Sequence, residues 1–378
     1  MDAPRKILFI LNSLMQGGAE KVMVTLLNGL DTSEFALSLL YLRKKEGILG
    51  ELNQSRLRSI HCYGGTNSVE FGLPFHIARH IRKEQIETVV CVGQRPMLYA
   101  LLARSLVRRR VRIIQSIHVP TLFNRFQRCK NFLLYRRLFK HCDPVIFVSE
   151  QQRKRWASSG FMDVSNSVCI HNGIDVDHFN DRYSPEEKAE IRLGLGFSES
   201  DYVVGIFARL DFNKNHHELV AAVEKIRSTG IGARLLIVGD GPARAGLEAL
   251  AESMGLERDV VFTGFRKDIR PLMSISDCIA LTSRAESFPV SILEAMAMGK
   301  PVISSASGGV LEQIRHGETG FLYNSGNVEE LESFLKILSA PAIRAEMGQR
   351  ARQDACARFD RRRMILEYAR VLAGKIPQ

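Results

Sequence analysis

The sequence has no apolar run long enough to cross a membrane. A spanning helix needs about 20 consecutive apolar residues, but the first apolar run covers only residues 7–11. That run comes too early and ends too soon for a signal peptide. We therefore expect a cytoplasmic protein rather than an integral membrane or secreted one.

Motifs for metal or redox chemistry are also missing. Seven cysteines are scattered over 378 residues, and no two of them form a C-x-x-C pair, which argues against the common zinc and thiol-redox sites. Asp211 and Asp240 have no partner carboxylates at the spacing of a divalent-ion site. We therefore expect reduced thiols and no metal.

Positive charge is concentrated in the first half of the chain. Residues 1–180 carry 26 lysines and arginines against 14 acidic residues, whereas residues 181–378 carry 26 against 27. The densest basic stretch covers residues 108–140 and predicts an anionic partner. No recognition motif for nucleic acid accompanies it. Residues 122–142 fit an interfacial helix, or equally a buried helix whose basic side chains reach outward.

Short apolar runs alternate with longer amphipathic ones, which predicts an α/β protein with two parallel sheets. Residues 171–197 are the predicted linker between them. Doubly wound sheets bind ligands beyond the carboxyl ends of their strands, so site residues should lie there. The predicted strands cover residues 6–11, 36–42, 58–62, 88–92, 112–117, 144–148 and 167–170, then 203–207, 234–238, 260–263, 278–281 and 301–304.

Two glutamates separated by seven residues mark the strongest candidate site. Glu286 follows the strand predicted at residues 278–281, and Glu294 lies in the helix that Pro289 is suited to begin. Backbone N–H groups at that helix start favour a phosphate, and carboxylates accept hydrogen bonds from sugar hydroxyls. In isolation, the spacing of the two glutamates also fits a capping glutamate followed by a solvated one. The neighbouring motifs are what favour a binding site over that interpretation.

Two cations form the second candidate motif. Arg209 and Lys214 follow the strand predicted at residues 203–207. A guanidinium and an ammonium group there would stabilise the negative charge of a departing diphosphate without a metal. Glycine turns follow other strands of the second set, at Gly239, at Gly264 and at residues 308–309.

In this order and spacing, the motifs resemble the retaining GT-B glycosyltransferases of family 4. The resemblance is strong over residues 200–325 and continues, with fewer matching positions, through Gly17, Gly18, His118 and residues 171–175. It implies two Rossmann-like domains facing each other across a cleft. An acceptor-binding domain would cover residues 1–175 and a nucleotide-sugar domain residues 176–360, with a C-terminal helix at 361–378 packing back on the first.

The resemblance also implies a role for each motif. Arg209 and Lys214 would hold the donor diphosphate, Glu286 the donor sugar and Glu294 the ribose. The same resemblance makes His118, Arg209, Lys214 and Glu286 the expected catalytic residues, with His118 near the acceptor. The other expected binding residues are Gly17 and Gly18 over the phosphates, Gly239, Gly264 and Phe265 around the nucleotide, and Ser287 and Phe288 beside Glu286. Leu311 departs from the family pattern, which commonly has proline there.

The predicted function is retaining transfer of a hexosyl or N-acetylhexosaminyl group from a UDP- or GDP-linked donor, with no other cofactor. The expected acceptor is a hydroxyl of a lipid-linked or surface-glycan precursor, and residues 108–140 would then meet the anionic inner face of the cytoplasmic membrane. The resemblance also implies that the leaving phosphate takes the acceptor's proton, and the sequence is consistent with this because no carboxylate pair has evident nucleophile and acid roles.

Three alternatives to this function stay open. A nucleotide-sugar epimerase of the same architecture would need no acceptor. A non-catalytic nucleotide-sugar-binding protein would be expected to lack some of the four charged residues expected to hold the donor, all of which this chain has: Arg209, Lys214, Glu286 and Glu294. A dinucleotide-dependent oxidoreductase needs a G-x-G-x-x-G turn after an early strand, where this chain has only Gly17 and Gly18.

Overall fold

The computed structural model describes residues 3–65, 70–119, 137–160 and 162–375. The chain divides into two compact units, Met1–Gly173 with Arg361–Gln378, and Ile174–Asp360. The boundary lies two residues before the one expected after residue 175. Within the described ranges, no helix combines the length and apolar character needed to cross a bilayer.

Seven parallel strands form the sheet of the first unit over its described residues. Their order in the sheet is β3-β2-β1-β4-β5-β6-β7, so the direction of winding reverses between β1 and β4. Strand β4 is buried throughout, as expected for a strand covered on both faces. The strands are β1 (Arg5–Leu11), β2 (Phe35–Tyr41), β3 (Leu57–Cys62), β4 (Thr88–Val92), β5 (Arg112–Ile117), β6 (Val145–Phe147) and β7 (Ser167–Cys169).

Helices follow β1, β3, β4 and β6 of this unit. They are α1 (Gly18–Gly29), α2 (Leu73–Glu84), α3 (Gln94–Ser105) and α4 (Glu150–Ser158). Helix α4 begins where it does because the Ser149 side chain accepts a hydrogen bond from the Gln152 N–H at 3.1 Å, which satisfies one of the free donors of the first turn. Trp156 of α4 packs edge-to-face on Phe139 and Phe147 in the core.

Six parallel strands form the sheet of the second unit over residues 174–360, all of which are described. Their order is β10-β9-β8-β11-β12-β13, the same winding as in the first unit. The sequence predicted the first five but missed β13, a four-residue strand that begins with glycine. The strands are β8 (Tyr202–Phe207), β9 (Ala233–Val238), β10 (Val260–Gly264), β11 (Cys278–Leu281), β12 (Val302–Ser305) and β13 (Gly320–Tyr323).

The second unit contains a helix inside the predicted linker. Helix α5 opens with a reciprocal cap, in which Ser184 Oγ accepts from the Glu187 N–H and Glu187 Oε2 accepts from the Ser184 N–H. The helices of the unit are α5 (Pro185–Gly194), α6 (His216–Ser228), α7 (Arg244–Ser253), α8 (Arg270–Ile275), α9 (Val290–Ala297), α10 (Val310–Gln313), α11 (Val328–Leu338) and α12 (Pro341–Arg358). Because α5 packs on α8, residues 185–194 belong to this unit.

The last described helix, α13 (Arg361–Leu372), belongs to the first unit. It lies so close to α1 that a Cβ at Gly29 would stand 2.2 Å from Ile365 Cδ1. The Arg112 guanidinium of β5 donates to the carbonyl oxygens of Val371 and Leu372 at 3.1 and 3.0 Å, which satisfies the end of the helix. The first unit is therefore assembled from both ends of the chain.

Candidate active site

The loop after β8 carries Arg209 and Lys214. Asp211 Oδ1 accepts hydrogen bonds from the backbone N–H groups of Asn213 and Lys214 at 3.0 and 3.3 Å, which folds residues 212–214 into one tight 3-10 turn. The Arg209 side chain is 69% exposed, and its Nε lies 3.8 Å from Asp211 Oδ2. The turn thus fixes the backbone at Lys214, whereas most of the Arg209 side chain is exposed to solvent.

Lys214 and Glu286 form the central contact of the second unit's candidate site. Lys214 Nζ lies 2.5 Å from Glu286 Oε1, and the two side chains are only 22% and 11% exposed. This pair joins the loop after β8 to the loop after β11, two adjacent strands of the sheet. Sequence reasoning named both residues, and the structure brings them into direct contact.

Three residues that sequence reasoning missed hold these two loops together. The Asn215 Oδ1 atom accepts from Arg284 Nε and Nη2 at 3.2 and 3.1 Å, and the Arg284 guanidinium lies 4.0 Å from the centre of the Phe212 ring. Asn215 adopts a left-handed conformation, with φ 56°. An asparagine directly before a helix that starts at His216 was the available signal, because asparagine tolerates this conformation.

Glycines allow the turns to approach backbone closely. Gly239 follows β9 with φ 144°, and a Cβ there would lie 2.0 Å from the carbonyl oxygen of Ala208, beside Arg209. At Gly308 and Gly309, a Cβ would lie 1.9 and 1.8 Å from the carbonyl oxygens of Glu286 and Ser287. The Gly308–Gly309 turn therefore rests directly on the backbone that carries Glu286.

The segment from Glu286 to Glu294 has the order that the sequence predicted. Pro289 is the residue directly before α9, Glu286 precedes it, and Glu294 lies inside the helix with only 4% exposure. Ser287 is also buried. The Phe288 ring is buried as well and packs edge-to-face on Phe359 at 5.6 Å, so its side chain belongs to the core, and any ligand contact would come from its backbone.

The turn after β10 presents an aromatic ring. Gly264 has φ 69° and accepts a hydrogen bond from the Gly239 N–H at 3.0 Å, which holds the turns after β9 and β10 side by side. The Phe265 side chain is 54% exposed. An exposed ring beside the turn at Gly239 has room to stack on a flat ligand.

In the first unit, Gly17 and Gly18 stand at the start of α1. A Cβ at Gly17 would lie 2.3 Å from Glu20 Oε2, so glycine leaves room for that carboxylate over the helix start. Burial raises the pKa of Glu20, although a hydrogen bond from its own backbone N–H and the charge of Arg43 partly oppose the shift. The carboxyl group is thus easier to protonate than an exposed one.

His118 follows β5 and lines a cavity of about 560 Å³ that lies within the first unit. Burial lowers the pKa of His118 to about 4, so its imidazole is neutral at pH 7. Aliphatic and aromatic side chains line the cavity together with polar ones. Its polar or charged lining residues are Asn12, Glu20, Arg43, Gln94, Arg95, Gln115 and His118.

The basic stretch at residues 108–140 is described only in part. Arg125, Arg128, Lys130 and Arg136 lie outside the described residues, as do residues 122–136 of the helix considered for residues 122–142. On the described surface, a depression of about 380 Å³ is lined by Arg104, Arg109, Arg110, Val111, Lys140, His141 and Asp143. Four of these lining residues are arginine or lysine, and the one carboxylate among them is that of Asp143.

Comparisons with known proteins give this arrangement a family. Residues 187–354 match the family model for glycosyl transferases group 1, and residues 16–178 match the model for glycosyltransferase family 4. The GDP-mannose-dependent alpha-(1-6)-phosphatidylinositol monomannoside mannosyltransferase of Mycobacterium tuberculosis is 30% identical over 308 residues, 78% of each chain. The N-acetyl-alpha-D-glucosaminyl L-malate synthase of Bacillus anthracis is 31% identical over 187 residues, about half of each chain.

The fold comparison agrees with the sequence comparison. The crystal structure of Anabaena HepE in complex with UDP superposes with a TM-score of 0.84 at 25% identity, covering 98% of this chain and 100% of that one. Two Rossmann-like units of the GT-B type are therefore confirmed. The chain belongs to the group 1, family 4 glycosyltransferases, and it is an enzyme of the sugar-transferring class.

Proposed function

We propose that the chain transfers a hexosyl or N-acetylhexosaminyl group, with retention at the anomeric carbon, from a UDP- or GDP-linked sugar to an acceptor hydroxyl. The contact between Lys214 and Glu286 carries this proposal, because it sets a fixed cation beside a carboxylate at the strand ends, and a carboxylate can accept hydrogen bonds from sugar hydroxyls. Anabaena HepE, whose structures hold UDP and UDP-glucose, supports the choice of donor class.

The chemistry follows from the charges in the second unit. An ammonium group has three hydrogens, so Lys214 can keep its bond to Glu286 while donating to a phosphate oxygen. The exposed Arg209 guanidinium supplies a second, bidentate donor. As the bond between the anomeric carbon and the phosphate oxygen breaks, Lys214 and Arg209 stabilise the negative charge that develops on the diphosphate. The acceptor oxygen then bonds to the same face of that carbon, and its proton passes to the leaving phosphate.

We assign the acceptor to the cavity of the first unit. Its volume of about 560 Å³ is in the range that holds a small ligand, and its polar lining residues can exchange hydrogen bonds with hydroxyl groups. His118 remains neutral at pH 7 and can exchange hydrogen bonds with an acceptor oxygen without adding charge. A lipid-linked or surface-glycan precursor is the proposed acceptor class, supported by the relative named for a phosphatidylinositol mannoside.

A donor screen tests the proposal. A nucleotide sugar that binds the folded protein should stabilise it by RT ln(1 + [L]/Kd), so thermal unfolding with UDP- and GDP-sugars identifies the donor. The stabilisation should weaken in Lys214→Ala and persist in Lys225→Ala, a lysine of α6 that pairs with Glu329 on the surface. Stabilisation by no nucleotide sugar, or equal stabilisation of both variants, would contradict the donor site.

Product analysis then separates transfer from its alternatives. With the donor identified, a transferase converts labelled sugar into acceptor product of the same anomeric configuration as the donor. An epimerase releases or rearranges the sugar without an acceptor, and a binding protein leaves the donor intact. Labelled sugar in extracted membrane lipid would support the lipid-linked acceptor.

We also propose that the first unit meets an anionic membrane through the basic surface around Arg109, Arg110 and Lys140. Each basic residue near such a surface adds about 1 kcal/mol of attraction, which fades within a Debye length of about 10 Å at 0.1 M salt. Binding to vesicles should therefore require anionic lipid and weaken with salt. Exchanging Arg110 and Lys140 for glutamate should reduce vesicle binding while sparing nucleotide binding. Equal pelleting with neutral and anionic vesicles would remove the membrane from the proposal.

A further inference from the structure

A buried chain of two hydrogen bonds links His118 to the C-terminal helix. His118 Nε2 lies 2.9 Å from Ser116 Oγ, and Ser116 Oγ lies 2.9 Å from the hydroxyl oxygen of Tyr368. Ser116 is fully buried in β5, and Tyr368 is buried in α13. The two ends of this chain are 250 positions apart in the sequence, so only the fold brings them together.

The direction of these hydrogen bonds follows from the number of hydrogens. Among the described residues, Ser116 is the one hydrogen-bond partner of the Tyr368 hydroxyl, and a buried hydroxyl that does not donate costs about 1–3 kcal/mol. Tyr368 therefore donates to Ser116 Oγ. The single hydroxyl hydrogen of Ser116 then points to His118 Nε2, which must accept it.

We propose that Tyr368 is a positioning residue that, through Ser116, fixes His118 as the neutral imidazole with its hydrogen on Nδ1. That nitrogen has no hydrogen-bond partner in the described part of the chain, so Nδ1–H is left as a donor for an oxygen bound in the cavity. The tautomer of His118 depends only on the two buried hydrogen bonds, whereas the use of its Nδ1–H in sugar transfer rests on the proposed function.

The same two hydrogen bonds oppose protonation of His118. An imidazolium has hydrogens on both nitrogens, so Ser116 would have to accept from Nε2. Of the Ser116 and Tyr368 hydroxyl hydrogens, one would then be left without an acceptor. This adds to the burial that lowers the pKa of His118 to about 4.

Other ionisable groups surround both ends of the chain. Glu20, Arg43 and Arg95 share the cavity lining with His118. Cys169 of β7 faces Tyr368 and, after burial, contributes to raising the pKa of that hydroxyl. Tyr368 therefore stays protonated as a donor at pH 7.

Nitrogen NMR on the full chain tests the proposal. Histidine labelled with ¹⁵N in both ring positions reports which nitrogen carries the hydrogen, and His118 is assigned by the signal that disappears in His118→Gln. The wild-type protein should show a bare Nε2 and a protonated Nδ1. In Tyr368→Phe, the two tautomers should mix, and the pKa of His118 should rise by about 0.5–1 unit, the scale of one hydrogen bond.

Matched variants separate this role from a packing defect. Tyr202→Phe removes another buried tyrosine hydroxyl, which contacts the Cys278 thiol, and should leave the His118 signals unchanged. Ser116→Ala should shift the His118 pKa in the same direction, and adding Tyr368→Phe should shift it no further, because both act along one chain.

This proposal and the proposed function can fail independently of each other. A protonated Nε2 in the wild type, or an unchanged tautomer and pKa in both Tyr368→Phe and Ser116→Ala, would overturn the proposal. If the NMR results are as expected but these variants transfer sugar at the wild-type rate, the positioning of His118 stands and the transfer site assigned to it is wrong. Ser116→Ala keeps the test open if Tyr368→Phe does not fold.

Discussion

A methyl group at Gly309 should displace the backbone that carries Glu286 and Ser287. Gly309 has φ −69° and ψ −9°, a right-handed conformation open to any residue. A Cβ there would nevertheless lie 1.8 Å from the carbonyl oxygen of Ser287, and Cβ atoms essentially never come within 3.0 Å of another heavy atom. Gly309→Ala must therefore move the two segments apart by about 1.2 Å, the difference between these distances.

The size of the effect follows from that displacement. Adding volume at a packed position costs about 1–3 kcal/mol of stability. Moving a positioning group by about 1 Å can cost about 100-fold in rate, so transfer should fall by about that factor. Gly317→Ala is the matched control, because Gly317 has φ 78° with no atom within 4 Å of a Cβ. It should lose about 1–2 kcal/mol from left-handed strain and transfer normally.

Two measurements distinguish the variants. Thermal unfolding should show a comparable loss of stability in Gly309→Ala and Gly317→Ala. Initial rates with the donor identified by the screen should fall only in Gly309→Ala. If folded Gly309→Ala keeps a rate within a few-fold of wild type, or if Gly317→Ala slows transfer equally, the turn does not position Glu286 as described.

Three further predictions concern the chemistry of the site. Lys214→Ala should keep the fold and lower kcat at least about 100-fold, the scale for one stabiliser of developing charge; a rate like that of the Lys225→Ala control would contradict this. Glu294→Ala should weaken binding of the nucleoside diphosphate in calorimetry, whereas Glu286→Ala should spare it and reduce discrimination among donor sugars; equal losses would reject the division. Transfer should continue in excess chelator, and activity lost in EDTA but restored by magnesium or manganese would reject the metal-independent mechanism.

The strand ends could be predicted because they depend on local chemistry. A short aliphatic run followed by glycine or a charged residue marks the end of a buried parallel strand, as at residues 203–209 and 278–286. The position of Pro289 likewise predicted that Glu286 precedes the helix that contains Glu294. Strand β13 was missed because it is only four residues long.

The contacts that hold the site together could not be predicted in this way. Arg284 and Asn215 meet because β8 and β11 are neighbours in the sheet, which the alternation of hydrophobic runs does not encode. Phe288 lies within a predicted binding motif, yet its ring packs in the core. The link between Ser116 and Tyr368 joins distant parts of the chain, and only the fold reveals it.

The discontinuous first unit has a consequence for biosynthesis. A ribosome that has finished residue 173 must add 187 more residues before it reaches Arg361, which takes about 10–40 s at 5–20 residues per second. During that interval, the surface of α1 that receives Ile365 and the hydroxyl of Ser116 lack their partners from α13. The emerging first unit therefore exposes an apolar surface to chaperones or aggregation, and it can close only after the second unit has been made.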